Sequence, residues 1–347
     1  MSLLHASFDS HLTSSLAFAA KDGISILDLD HLEQSPFKTS QSGVGLVHIL
    51  KVNGTTMLAV VGSGDLAGSS PRKLKVLDAE TKKTACEITF QSSILSCAIS
   101  SQFMALCLES SIHIVELVGM KVVLKISTAS NAKGIMTMSK TSLPTVLAYP
   151  SSDIIGEFNA VIIDVAIASS TASRTSCIAH KSRLFCLQMN PTGTLIASAS
   201  ITGTIIRVFD TQTSSKLHEF RRGLQQANIS SLLFGLSDSL LLASSSSGTV
   251  HIFQLQREEK SEIMTHDEVS TNTNTTPDVT PSSMIGMIFR AAITSAQVEL
   301  RQGTGSSRAA YIARIPNSEG PVSMCLTYPG NGEKRLFVVT LSGYLYR

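Results

Sequence analysis

The sequence predicts an all-β protein folded as one seven-bladed β-propeller. Three observations carry this expectation. Short runs of alternating apolar residues recur along the chain, each after a small residue and often closed by Asp or Thr. Their spacing lies near the 45-residue length of a four-stranded blade. The runs alternate with period two and are rich in Ile, Val and Phe, which excludes a solenoid of two-helix repeats with a similar period.

The runs are Asp22–Asp30, Arg72–Glu80, Ser110–Val118, Asn159–Ile167, Gly203–Thr211, Gly248–Gln256 and Ser342–Arg347. Anchored on Ile24, Leu74, Ile112, Val161, Ile205 and Val250, they stand 50, 38, 49, 44 and 45 residues apart. The last step, Val250 to Leu345, is 95 residues, one period plus an insertion of roughly 50. The chain has no Trp, so Leu27-Asp28, Leu77-Asp78 and Phe209-Asp210 stand where WD repeats carry Trp-Asp. The last repeat reaches only a third strand at Arg347. Two endings follow: Leu3–Phe8 supplies its fourth strand, or the blade is one strand short.

Residues 1–347 therefore read as a single domain, with 256–308 as a loop inserted in blade six. The first half of the insertion, Thr265–Ser283, is a polar Thr/Asn/Pro-rich linker. The second half, Met284–Leu300, is apolar, with Ile285, Ile288, Phe289, Ala292 and Ala296 on one helical face. Strand-like Ala309–Pro316 then resumes the blade.

Composition removes several function classes. With 43% hydrophobic and 16% charged residues among 347, the chain has ample material for a core. Lys+Arg 28 against Asp+Glu 26 gives +2, so no global field recruits nucleic acid. Apolar stretches such as Ala160–Ala168, interrupted by Asp164, fall far short of the roughly 18 residues a spanning helix needs. The N-terminus lacks a basic region and is not expected to act as a signal peptide. The six cysteines form no C-x-x-C pair and read as small buried hydrophobes of a reducing compartment.

No enzyme, cofactor or metal site is expected. The sequence lacks H-E-x-x-H, G-x-S-x-G and the G-x-x-x-x-G-K-[ST] phosphate loop, and its nine histidines form no pair at metal spacing. Gly62-Ser63-Gly64 with Gly68 follows a strand, but a Pro71 turn and another strand come next, where a nucleotide site needs a helix.

One region departs from this background. Between Ala179 and Gly223 stand Lys181, Arg183, Arg207, Lys216, Arg221 and Arg222 against Asp210 and Glu219, a local +4. Adjacent side chains on a strand point to opposite faces, so Arg221 and Arg222 cannot share one small anion but can each line a pocket on either side of one strand. Solvated charge is the plainer alternative on Glu219–Gly223 alone. His180, Ser200, Thr204 and Arg207 lie upstream, on blade five. Ser245, Thr249 and His251 lie downstream, on blade six. Each set, with its arginine, holds the hydroxyls, imidazole and guanidinium that suit a phosphate monoester. Arg207 and His251 occupy near-equivalent places on successive third strands.

These residues carry a family resemblance. Glu219–Gly223 (EFRRG), the preceding AHKS and GTIIRVFD, and the following GTVHIF stand in the order and spacing of the PROPPIN (WIPI) family. The match runs over Ala179–Phe253. Leu58–Asp78 resembles that family's glycine motif in blade two. The resemblance implies a seven-bladed propeller that binds phosphatidylinositol 3-phosphate and phosphatidylinositol 3,5-bisphosphate and acts in autophagy. It assigns one pocket to His180, Ser200, Thr204, Arg207 and Arg221, and the other to Arg222, Ser245, Thr249 and His251. It further implies a bilayer-entering loop, here Met284, Ile285, Met287, Ile288 and Phe289. An autophagy lipid-transfer protein is the implied partner. Ser246-Ser247 stand where the family commonly has Asp-Lys, which removes a lysine beside the second pocket.

The resulting expectation is a cytoplasmic, non-enzymatic phosphoinositide effector recruited to phagophore, autophagosomal and endosomal membranes. Its small net charge suits a coincidence detector, since attraction to acidic lipid is about 1 kcal/mol per Lys or Arg near the surface. The alternative is a WD-type scaffold that binds proteins only.

Overall fold

In a computed structural model, the structure describes residues 3–8, 15–20, 23–29, 33–39, 43–141, 143–163, 174–235, 238–255, 298–299, 309, 311–315, 321–327, 335–340 and 345–346. Seven antiparallel sheets form from these residues, five of them four-stranded. The innermost strands, Leu3–Phe8, Val44–Val52, Ser96–Ile99, Thr137–Met138, Leu184–Met189, Ile229–Phe234 and Pro321–Thr327, each touch the next. The last touches the first, so the ring closes.

Packing explains which residues form which strand. Second and third strands lie between neighbouring blades and are covered on both faces; Phe103–Cys107 is buried throughout. Fourth strands form the rim, and Thr84–Thr89 alternates between exposed and half-buried. Small residues such as Ala17, Ala105, Ala197 and Ala243 are 0% exposed on second strands, where blades converge on the axis. A separate apolar cluster fills each of the seven gaps between adjacent blades, from Val76–Met104 between blades two and three to Phe18–Phe337 between one and seven. Burying each such side chain stabilises the ring by about 1.5–3 kcal/mol, so the blades hold one another.

The Asp that closes several repeats caps a turn. Asp210 Oδ1 accepts the N–H groups of Gln212 (3.0 Å) and Thr213 (2.8 Å), and Asp78 Oδ1 does the same with Glu80 and Thr81. These bonds satisfy backbone donors in the turn to the fourth strand and hold both carboxyls below their usual range.

The propeller expectation is borne out; of the two endings left open the structure takes the second, and it adds two amendments. Leu3–Phe8 pairs with Ser15–Ala20 in its own four-stranded blade, so it does not complete the last one. Among the described residues blade seven has three strands, Pro321–Thr327, Arg335–Thr340 and Leu345–Tyr346. Blade six carries a fifth: Tyr311–Arg314 pairs with Thr249–Gln254 as expected, and Val298–Glu299, from within the expected insertion, pairs outside it. The repeat anchor in blade five is also shifted by one. Ile206, not Ile205, stands where Val250 stands in blade six.

Candidate functional site

The two predicted residue sets lie in the gaps on either side of blade five. The strands of this blade are Leu184–Met189, Leu195–Ser200, Ile205–Asp210 and Lys216–Arg221. Phe220 is the pin that fixes the arginines: it is 2% exposed, packs with Ile206 and Val208, and stacks on Phe253 of blade six at 4.7 Å. Strand alternation then turns Glu219 and Arg221 towards blade four and Arg222 towards blade six.

In the first gap, His180 ends the outer strand of blade four and is buried. Arg207 Nη1 donates to Ala179 O (2.5 Å) and to His180 Nδ1 (3.2 Å). An arginine only donates, so His180 Nδ1 accepts and its Nε2–H is directed at Ser198 Oγ, 3.0 Å away. Burial, and then the charge of Arg207, lower the His180 pKa to about 4, so the ring is neutral at pH 7. Arg207 Nε meets Glu219 Oε2 at 2.8 Å, and Lys216 Nζ meets the same oxygen at 2.8 Å. Hydrogen bonds from Lys216 and Arg207 hold Glu219 down at about 2. Arg221 closes the outer strand, is exposed, and has no polar partner for its guanidinium among the described residues.

Ser200, at the end of the second strand, bonds Thr202 (2.9 Å). Thr204 falls elsewhere than the blade-six comparison suggests. The turn before the third strand has four residues in blade five (201–204) and three in blade six (246–248), so Thr204 lies in the turn while Thr249 begins its strand. Thr202 is the hydroxyl counterpart of Ser247. Gly203 is required in this turn: its φ is +59°, and a Cβ there would meet Ala227 O at 1.8 Å.

In the second gap, Ser245, Ser247 and Thr249 form a triangle of hydroxyls with edges of 2.7, 3.2 and 3.0 Å. His251 lies two residues beyond Thr249 on the same face, 5% exposed, and its Nδ1 is buried without a partner among the described residues. Burial, and then the charge of Arg222, lower His251 to about 4. Arg222 is half-buried. Its Nε donates to Gly203 O (2.9 Å), its Nη2 to Gln225 O, and its backbone N–H to Thr204 O (2.9 Å). Burial alone pulls its pKa down. No carboxylate neutralises it among the described residues.

Arg207 and His251 do hold equivalent places: each is third in its strand and pairs with the fourth residue of the second strand, Ser198 and Ala243. Ser198, Thr202, Glu219 and Ser247 bond the predicted residues and were not among them. Ser198 and Glu219 were visible only through cross-strand register, whereas the Ser245-x-Ser247 and Ser200-x-Thr202 repetition was a usable signal. Met284, Ile285, Met287, Ile288 and Phe289 lie outside the described residues.

Other cavities do not compete. One, about 420 Å³, opens at the opposite end of blades four and five beside Leu143, Pro144 and Thr211 and contains none of the predicted residues. A smaller one, about 280 Å³, lies under the glycine loop of blade two beside Lys73 and Lys75. That loop leads into strand Lys73–Asp78 and not a helix, as its Pro71 suggested. Among the described residues no cluster of His, Cys, Asp or Glu is arranged for a metal, and no helix is long and apolar enough to cross a membrane. Burial pushes the thiols of Cys97 and Cys186 up to about 12.

The chain matches the PROPPIN family over residues 2–347. It is 33% identical over 344 residues to Autophagy-related protein 18 of Yarrowia lipolytica, covering 90% of this chain and 84% of that protein. It is 30% identical over 344 residues to human WD repeat domain phosphoinositide-interacting protein 1, covering 98% and 72%. Among solved structures, Hsv2 of Kluyveromyces lactis has the same fold, with a TM-score of 0.72 at 16% identity over 98% of this chain and 90% of that one. The chain belongs to the PROPPIN family, which is not a family of enzymes.

Proposed function

We propose that this PROPPIN is a phosphoinositide effector with two headgroup pockets, one on each side of the blade-five rim strand that ends in Arg221. His180, Ser200, Thr204, Arg207 and Arg221 serve the first, with Ser198 fixing the imidazole and Thr202 adding a hydroxyl. Arg222, Ser245, Thr249 and His251 serve the second, joined by Ser247. The ligands are phosphatidylinositol 3-phosphate and the 3,5-bisphosphate, and binding recruits the cytoplasmic protein to phagophore, autophagosomal and endosomal membranes. There the apolar segment containing Met284, Ile285, Met287, Ile288 and Phe289 enters the bilayer, and a lipid-transfer protein of the autophagy machinery docks.

The observation that carries this reading is the second gap. A buried imidazole nitrogen without a partner and a half-buried guanidinium without a counter-charge, both among the described residues, lie there with three hydroxyls. A buried polar atom without a partner costs about 1–3 kcal/mol, which a phosphate oxygen would relieve. The relatives' names, phosphoinositide-interacting and autophagy-related, agree with it.

Co-sedimentation with vesicles containing phosphatidylinositol 3-phosphate tests the proposal. Arg221→Ala/Arg222→Ala should abolish sedimentation while the dichroism spectrum stays that of the wild type. A folded double variant that sediments like wild type would leave the protein-only scaffold as the better reading.

A further inference from the structure

We infer that the turns on the pocket side of blades four to six form a second membrane anchor, in which Ile154, Ile155 and Leu224 enter the bilayer interface. This rests on the headgroup reading above and adds to it a surface outside the blade-six insertion. Single exposed aliphatic residues need no explanation. Three on one connected surface beside two anion pockets do. Ile154 is 77% exposed, Ile155 37% and Leu224 83%.

The surface is continuous, as each link shows. Ser152 Oγ accepts the N–H groups of Ile154 and Ile155, both at 3.2 Å, and so fixes the blade-four tip. Gly156, next in sequence, packs so closely on His180 and Ser182 that a Cβ would lie 2.5 Å from one and 2.6 Å from the other. Ile201 N–H donates to Arg183 O (3.1 Å), joining that connection to the blade-five turn. Ala227 N–H donates to Thr202 O (3.3 Å), and Arg222 Nε to Gly203 O, joining the turn to the segment that carries Leu224. Arg222 also bonds Gln225 O, so Leu224 is held between two tethered residues.

Charge decides what would cover this surface. Lys181, Arg183 and Arg221 are exposed along it against two exposed acids, Asp153 and Glu219, of which Glu219 is paired with Arg207 and Lys216. Glu157 is engaged by Ser176 at 2.7 Å. Rigid aliphatic tips among cations, next to recessed phosphate pockets, match the layering of an anionic bilayer, in which phosphates lie just outside the acyl chains. Interfacial binding grows with buried apolar area plus attraction to anionic lipid. A headgroup seated in either pocket brings these tips to that boundary.

The natural chain has no Trp, so Leu224→Trp introduces a sole indole reporter. With vesicles of phosphatidylcholine and phosphatidylinositol 3-phosphate, its emission should shift to the blue and be quenched by brominated acyl chains. A water-soluble short-chain phosphatidylinositol 3-phosphate should produce neither change. Ile154→Ser/Ile155→Ser/Leu224→Ser should lower vesicle partitioning by roughly tenfold or more, with affinity for the soluble headgroup unchanged. The inference is overturned if the indole stays in water on vesicles that bind the protein, or if the triple variant partitions like wild type. Loss of soluble-headgroup affinity in the triple variant would also overturn it, by placing these residues in pocket formation. Wild-type protein that binds neither vesicles nor soluble headgroup would overturn the headgroup reading as well.

Discussion

The gap between blades four and five and the gap between blades five and six are built from the same repeat positions, but they hold their guanidinium groups in different electrostatic states. In the first, Arg207 spends Nε on Glu219 and Nη1 on Ala179 O and His180, so much of its donor capacity is in use. In the second, among the described residues, Arg222 bonds only backbone carbonyls, which are neutral, and its charge stands uncompensated beside an imidazole nitrogen without a partner. Repetition fixes where a side chain sits. The residue across the neighbouring strand fixes what charge it presents: Glu219 faces Arg207, and nothing acidic among the described residues faces Arg222.

The widest separation should come from the single arginine variants. Arg222→Ala removes the half-buried guanidinium of the second pocket and leaves the exposed Arg314, across the strands from Thr249, whereas Arg221→Ala leaves the inner Arg207 in the first. A charge-assisted contact is worth about 1.5–3 kcal/mol, so Arg222→Ala should weaken headgroup binding by roughly tenfold or more, and Arg221→Ala by less. Titration with soluble headgroup measures both, and equal losses would break the asymmetry.

Glu219→Gln should move the first pocket towards the second. Freed from the carboxylate, Arg207 can turn its fork to a phosphate, and headgroup affinity measured in an Arg222→Ala background should rise several-fold. A fall would mean that Glu219 positions Arg207 and does not compete with the ligand. The same variant has a pH signature. Glu219 titrates at about 2 in the folded chain against 4.5 unfolded, so its contribution to stability is complete above pH 4.5 and is lost as pH falls towards 2. Acid unfolding of Glu219→Gln should be flatter across that window, modestly so because the pair is solvent-screened.

The smallest effect should come from the two imidazoles, the feature the pockets share. His180 and His251 both titrate at about 4 when folded against 6.5 when free, so folding favours their neutral forms. Their contribution is complete above pH 6.5 and declines as pH drops towards 4. A bound phosphate draws a proton to a neighbouring imidazole, so melting temperature should fall less between pH 7 and 5 with headgroup present. A drop of the same size with and without headgroup would separate the histidines from the ligand.

Much of this was legible in the sequence because it depends on local periodicity. Period two makes a strand, and the recurrence of Leu-Asp and Phe-Asp reports a turn in which the carboxylate accepts two N–H groups. The same alternation separates Arg221 from Arg222, and the packing of Phe220 between blades five and six fixes which way each turns. What escaped depends on register between strands distant in sequence. The pairing of Arg207 with Glu219 requires the irregularity between Val208 and Phe209 to be known, and the extra turn residue that displaces Thr204 shows only when the two blades are aligned by their strand pairs. Ring closure was open for the same reason: whether Leu3–Phe8 pairs with Ser15–Ala20 or with the last blade is a choice between partners that both offer an apolar edge.

The central claim is that two separate headgroup sites flank one strand, and counting them tests it most directly. Isothermal titration with soluble short-chain phosphatidylinositol 3-phosphate should give two sites per wild-type chain, one site at wild-type affinity and one weakened in each single variant, and neither at wild-type affinity in the double variant. A single site in wild-type protein, or a site of wild-type affinity in the folded double variant, would contradict the account.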